Sequence, residues 1–131
     1  MIAYLSVAQV LALHRRQLAV FGGSGGLRDR GGLEAAVARP RMTFGGEDLY
    51  PDVAAKAAAL LHSLVMNHPF VDGNKRVAAM AAELFLAANA MQLTASDDEL
   101  TAMTLTAAQG RLDAEAIAIW LRQRTREDRG A

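Results

Sequence analysis

The sequence predicts an all-α protein, a compact fold of five to six helices around a central hydrophobic helix, with a small flap. Apolar residues make up 52% of the 131 residues, aromatic residues only 5%, and alanine is abundant, which favours closely packed helices. Apolar positions recur at helical spacing along most of the chain, and several polar residues are placed as helix caps. Since no long linker interrupts these patterns, residues 1–131 are predicted to form a single domain.

The first helix is predicted to begin at the capping box Ser6–Gln9 and to run to about Val20, with His14 and the arginines after it pointing mostly outward. Four glycines follow between residues 22 and 26. No strand pattern precedes them and no Gly-Lys-Ser/Thr follows, so a flexible connector is favoured over a phosphate-binding loop.

A short helix is predicted over Leu33–Ala38, where Pro40 stops it. Residues 41–51 lack a helical period and contain a Gly-Gly turn, which predicts a small hairpin or a loose flap. Asp52 is placed to cap the next helix, and Pro69 ends that helix near Asn67.

The following stretch, from about Asn74 to Ala90, is apolar nearly all round and is therefore expected to be the central helix. Ser96 opens a further helix that Gly110 closes, and Asp113 caps the last helix. The charged tail from about residue 123 is expected to fray.

Charge and composition exclude several functions. The net charge is zero, so no global field favours nucleic acid or an anionic membrane, and direct binding to either is not expected. The chain has no cysteine, which excludes thiol chemistry and thiolate metal sites. No signal peptide or membrane-spanning stretch is visible, and a cytoplasmic location is expected.

The polar cluster from His68 to Arg76, His-Pro-Phe-Val-Asp-Gly-Asn-Lys-Arg, lies between two apolar helical patterns. The N–H groups at the start of the second helix, together with Lys75 and Arg76, can converge on a phosphate. Asp72 is an oxygen ligand suited to Mg²⁺, and His68 can accept a proton near neutral pH. These groups together are typical of phosphoryl or nucleotidyl transfer.

Ordinary structural roles compete with this interpretation. A histidine at a helix end is commonly a capping residue, and Asp-Gly-Asn is common in turns. Two cations at a helix N-terminus are nevertheless unfavourable by about 0.3–1 kcal/mol each, which a bound anion would offset. From the residues alone, a phosphate site and a structural turn both stay open.

The cluster closely resembles the signature of the Fic/Doc superfamily, His-x-Phe-x-Asp/Glu-Gly-Asn-Gly-Arg-x-x-Arg. The segments Gly26–Asp29, Leu33–Pro40 and Lys56–Asn67 are similar to the Doc branch. The chain departs from the Fic signature at two positions, where Lys75 replaces the second glycine and Ala79 replaces the second arginine. Doc toxins share the lysine, and the resemblance therefore implies transfer of the γ-phosphate of ATP rather than of AMP.

The resemblance implies a role for each matched residue. His68 would deprotonate the target hydroxyl and Asp72 would hold Mg²⁺. Gly73 would allow close backbone approach, and the three residues after it, Asn74, Lys75 and Arg76, would bind phosphate oxygens of ATP. The flap between Thr43 and Tyr50 would position a protein substrate.

The resemblance also implies partners: elongation factor Tu as the protein substrate, and a Phd-like antitoxin that neutralises the toxin in trans. A Fic-type adenylyltransferase and a catalytically inactive nucleotide- or antitoxin-binding module stay open as alternatives. Three roles stay open for Arg28 and Arg39: contact with the nucleotide, contact with the substrate, or a structural ion pair with Asp29 or Glu34. The ion pair is favoured for each. His14 and His62 are expected to be structural.

Overall fold

The computed structural model describes residues 1–128. The chain forms six α-helices, α1 (Val7–Phe21), α2 (Arg30–Ala38), α3 (Val53–Asn67), α4 (Asn74–Ala88), α5 (Asp97–Ala108) and α6 (Ala114–Arg122). Two short antiparallel pairs accompany them: β1 (Thr43–Phe44) with β2 (Glu47–Asp48), and β3 (Met91–Leu93) with β4 (Thr125–Glu127). The predicted helical fold with a small flap is confirmed. None of the helices in residues 1–128 could span a membrane.

Five of the six helix starts lie where the sequence places them, because polar side chains at four of them satisfy N–H groups that a helix leaves free. Ser6 and Ser96 each form a complete capping box, and Asp52 and Asp113 accept hydrogen bonds from the first turns of α3 and α6. Asp29 caps α2 in the same way, a start that the sequence analysis did not identify.

The central helix is α3, which corrects the expectation that the helix after the polar cluster would be central. Eleven of the fifteen residues of α3 are buried, against seven of the fifteen in α4, and α3 packs against α2, α4, α5 and α6. Its polar side chains do not prevent this, because each bonds inside the fold: Lys56 to Asp48, Ser63 to Arg39 and Asn67 to the Gly32 carbonyl. Five alanines between positions 54 and 59 allow neighbouring helices to approach closely.

Pro40 ends α2 as predicted, but the chain continues for one 3₁₀ turn, Arg39–Arg41, since proline is tolerated early in a helical turn. The flap that follows is the β1–β2 hairpin, with glycines 45 and 46 at its tip. Lys56 ties this hairpin to α3 through an ion pair with Asp48 of 3.0 Å.

The tail does not fray from residue 123. Residues 125–127 form β4 and pair with β3 in the register Met91↔Glu127 to Leu93↔Thr125. Charged side chains on a solvent-facing edge pair give no apolar signal in the sequence, which explains why the strand was not predicted. Residues 129–131 of the predicted tail lie outside the described residues.

Candidate functional site

The loop between α3 and α4 is held in one conformation by its own residues. His68 ends α3 in the left-handed region, with φ of 49°. The carboxamide of Asn74 closes the loop: its Oδ1 accepts from Phe70 N and its Nδ2 donates to Phe70 O, both at 2.9 Å. Phe70 is 1% exposed and anchors the loop in the core. Because both ends of the Asn74 side chain are engaged, its remaining polar contribution to a ligand is its backbone N–H.

The glycine-rich segment before α2 packs on this loop. Gly26 O accepts a hydrogen bond from Val71 N at 3.1 Å, and Pro69 O accepts from Arg28 N and Asp29 N at 2.7 and 2.9 Å. A Cβ on Gly23, whose φ is +114°, would lie 2.7 Å from the Asp72 carboxylate. The segment predicted as a flexible connector therefore forms one wall of the loop.

Two arginines that the sequence analysis left open have structural partners, and neither pairs with Asp29 or Glu34. Arg28 donates from Nε to His68 O (2.7 Å) and from Nη2 to Asn67 O (2.8 Å), so it caps the end of α3. Arg39 donates to the Tyr50 hydroxyl and the Ser63 hydroxyl and contacts His62 Nδ1. The favoured ion pair is therefore wrong for both, since the two ion pairs of the described residues lie elsewhere.

His62 is structural, as expected, and lies half-buried beside Arg39. Burial and the neighbouring guanidinium both lower the pKa of His62, so its neutral form is favoured.

One face of α1 supports the loop from behind, which the sequence analysis missed. His14 is buried rather than pointing outward: its Nε2 lies 2.9 Å from Asp72 O, and its ring stacks on Phe70 with centroids 3.9 Å apart. Gln17 lies against Gly73, where a Cβ would collide with the carboxamide. Phe21 packs under Arg76, whose guanidinium carbon is 4.2 Å from the ring centroid.

The helical spacing of positions 14, 17 and 21 was visible in the sequence, as was a glutamine within an apolar stripe. The sequence alone does not show that this face contacts a loop 58 residues further along the chain.

A groove of about 770 Å³ opens above this layer. Its walls are the end of α1 with glycines 22 and 23, the segment from Asp72 to Arg76, and one side of α4 and α5. The first turn of α4 lines this space and has no side-chain cap for its N–H groups. The exposed Lys75 and Arg76 have no carboxylate partner among the described residues. An anion is therefore favoured at this end of the groove.

The far end of the groove is acidic. Glu83 and Asp97 line it, and partial burial together with the nearby Asp97 carboxylate raises the pKa of Glu83. The groove is thus cationic at one end and acidic at the other.

The structure brings together five of the predicted site residues, from Asp72 to Arg76, on the wall of the groove. His68 is exposed at the opposite end of the loop and does not line the groove. Thr43 and Tyr50 belong to the flap and its base and do not line the groove either.

The carboxylate of Asp72 lies between two backbone N–H groups, Gly73 N at 2.9 Å and Ser24 N at 3.3 Å. No group of three or more His, Cys, Asp or Glu among residues 1–128 is arranged to hold a metal ion. A cation held here would therefore take Asp72 as its protein carboxylate and complete its coordination with ligand oxygens and water, which is the binding mode that suits Mg²⁺.

Fold and site together define a class of protein: a helical domain in which a loop that begins with a histidine leads into a helix with two cations at its N-terminus. Comparison with known families identifies this class. The model of the Fic/DOC family matches residues 4–86, and the chain belongs to this family. The resemblance inferred from the loop residues is confirmed.

Two relatives are similar to this chain. A protein named Toxin Doc from Mycolicibacterium smegmatis is 56% identical over 78 residues, an alignment that spans 60% of each chain. A protein named Protein kinase doc from Escherichia phage P1 is 32% identical over 120 residues, which cover 92% of this chain and 94% of that protein. The chain thus matches less than two thirds of the length of the first relative and nearly all of the second.

Proposed function

We propose that this chain is a Doc-type toxin that transfers the γ-phosphate of ATP to a serine or threonine hydroxyl of a translation factor. The observation that supports it most directly is the start of α4, where Lys75 and Arg76 stand beside free N–H groups and lack carboxylate partners in the described residues. The names of the relatives, a toxin and a protein kinase, support the same activity. Elongation factor Tu is the proposed substrate, and a Phd-like antitoxin the proposed partner.

The position of Lys75 favours a kinase over an adenylyltransferase. Lys75 and Ala79 are four residues apart on α4, and both line the groove. Lys75 adds a positive charge to the wall of the groove, and the small side chain of Ala79 leaves space beside it. A lysine at this place occupies the room that the inner phosphates of a nucleotide would need for attack at the α-phosphate. It can instead bind the oxygens of the terminal phosphate.

In the proposed reaction, the target hydroxyl oxygen forms a bond to the γ-phosphorus while the bond from that phosphorus to the bridging oxygen of ADP breaks. His68 accepts the hydroxyl proton, and its exposed position at the rim of the loop leaves room for a protein substrate. Lys75, Arg76 and the α4 N–H groups stabilise the charge on the transferred phosphoryl group. Mg²⁺, when held at Asp72, supplies further neutralisation of the phosphate oxygens.

ATP labelled at either the γ- or the α-phosphate tests this proposal, with elongation factor Tu as acceptor and mass analysis of the product. Label from the γ position, an added mass of one phosphate, and loss of transfer in His68→Ala are the expected results. We expect this loss to be about 10²–10⁴-fold, the usual contribution of a positioned base.

Label from the α position alone would show an adenylyltransferase and overturn the kinase proposal. Cell toxicity that persists unchanged in His68→Ala, with no transfer of either label, would instead identify an inactive binding module.

A further inference from the structure

Gln17 carries a buried acceptor that the described part of the protein does not satisfy. The residue is 2% exposed, and its Oε1 is the one fully buried side-chain nitrogen or oxygen without a hydrogen-bond partner among residues 1–128. Leaving such an atom unpaired costs about 1–3 kcal/mol. An apolar side chain at this position of α1 would avoid that cost, so the carboxamide calls for a partner from outside the chain.

The carboxamide lies beside the motif loop, in a residue that lines the groove. It packs against Gly73, which leads from Asp72 into α4 and has φ of +85°. A Cβ at Gly73 would collide with Gln17 Oε1, so the glycine is required for this approach. Gly73 N cannot satisfy Oε1, because it already donates to Asp72 Oδ1 at 2.9 Å.

The chemistry of the site restricts what the partner can be. Oε1 needs a donor, whereas phosphate oxygens and the Asp72 carboxylate are acceptors. One motif cation, Arg76, is already engaged with the ring of Phe21. Water in the coordination shell of a divalent cation is a strong donor, and Mg²⁺ normally keeps several of its waters.

We propose that Gln17, which lines the groove, turns its carboxamide toward the loaded site, where Oε1 accepts a hydrogen bond from a water molecule bound to the divalent cation that Asp72 holds. Gln17 is then a positioning residue of the cation site that contacts the metal through water. The inference rests on the proposed function, because it assumes a cation at Asp72. Its consequence is that Gln17 strengthens nucleotide binding only when the metal is present.

The test is calorimetric titration of the full-length protein with ADP, in MgCl₂ and in EDTA, for the wild type and Gln17→Met. Methionine keeps the unbranched shape and removes both polar atoms. We expect Gln17→Met to weaken ADP binding about 10-fold in MgCl₂, as is usual when an outer partner of a metal site is removed. Binding in EDTA should not change.

A stability measurement accompanies the titration. Since the substitution removes an unpaired buried acceptor, Tm of Gln17→Met should equal or exceed that of the wild type. Gln109→Leu, a glutamine replaced at an exposed position beyond the end of α5, is the matched control and should change neither affinity nor Tm.

Four results would overturn the inference. An equal loss of affinity in MgCl₂ and EDTA would show that Gln17 contacts the nucleotide directly. No loss in either, while the wild type binds more tightly with MgCl₂, would leave the proposed function intact and assign Gln17 to an ordinary buried water or to packing. A lower Tm of Gln17→Met would show that the carboxamide has a structural partner. If the wild type binds no ADP under either condition, the proposed function fails and the inference fails with it.

Discussion

The helices on either side of the loop, α3 and α4, have the same length, yet one lies at the centre of the core and the other lines the groove. Each is fifteen residues long, rich in alanine and carries a lysine in its first turns. Lys56 of α3 is 1% exposed, pairs with Asp48 and lies over the Tyr4 ring. Lys75 of α4 is exposed on the groove and has no carboxylate partner in the described residues. A lysine therefore stabilises the fold when it pairs with a carboxylate. A lysine without such a partner remains available to bind a ligand.

The largest expected effect concerns the paired lysine. Asp48→Asn removes the negative charge opposite the buried ammonium of Lys56 and leaves it two neutral acceptors, the amide oxygen at position 48 and the Pro40 carbonyl 3.3 Å away. We expect the free energy of unfolding to fall by about 3 kcal/mol, the lower end for a broken buried pair, since Asp48 itself is half exposed. Urea denaturation measures this change.

Lys56→Met is the matched control for that prediction. It removes the charge together with its need for a partner, and should change stability by less than about 1 kcal/mol. If Lys56→Met destabilises the protein as much as Asp48→Asn does, the ion pair is not what stabilises the flap against α3.

The second prediction makes the same substitution at the other lysine. Lys75→Met should lower γ-phosphate transfer about 10²-fold, by analogy with the loss of a single donor to a developing anion. Its free energy of unfolding should stay within about 0.5 kcal/mol of the wild type, as is normal for an exposed position.

Initial rates of transfer at saturating ATP and urea denaturation of the same sample measure both quantities for Lys75→Met. Comparison with Lys56→Met separates the two roles, and a transfer rate equal to that of the wild type would remove Lys75 from the site.

The smallest effect is expected at the acidic end of the groove. Burial and Asp97 raise the pKa of Glu83 in the folded protein, so the folded state binds its proton more tightly than the unfolded chain does. Protonated Glu83 therefore contributes to the free energy of unfolding at low pH, and this contribution is lost as the pH rises through the raised pKa. Glu83→Gln should be more stable than the wild type by less than about 1 kcal/mol at pH 7, because the exposed carboxylate is screened.

Thermal denaturation at about pH 3 and about pH 7, on either side of the usual range for a carboxyl group, checks the prediction for Glu83→Gln. The difference in Tm between Glu83→Gln and wild type should vanish at the lower pH. A difference of the same size at both pH values would mean that charge at this position does not matter.

The helix starts and the polar loop could be predicted because both depend on neighbours in sequence. Capping by Ser6, Asp52, Ser96 and Asp113 is a contact over three residues, and the sequence contains both partners. The cluster from Asp72 to Arg76 is likewise local, since the N-terminal turn of one helix holds it.

Most of the features that were wrong or missed depend on distant contacts, and the exception is the local Asp29 cap of α2. The central position of α3 requires partners such as Asp48 and Arg39 for its polar side chains. The burial of His14 requires a loop 58 positions away. Periodicity shows which face of a helix is apolar, but not whether a polar residue on it will find a partner.

The contacts of His14 and Arg28 with the loop have a consequence for how the protein folds. They join residues separated by 58 and 40 positions, so the loop receives its supports only after α1 and the glycine-rich segment have docked. Contacts of such long range form late relative to helices, because the chain between them must first be ordered. A chain in which only α3 and α4 have packed would have the local Asn74 bonds of the loop but not these supports, so the complete groove would be among the last features to form.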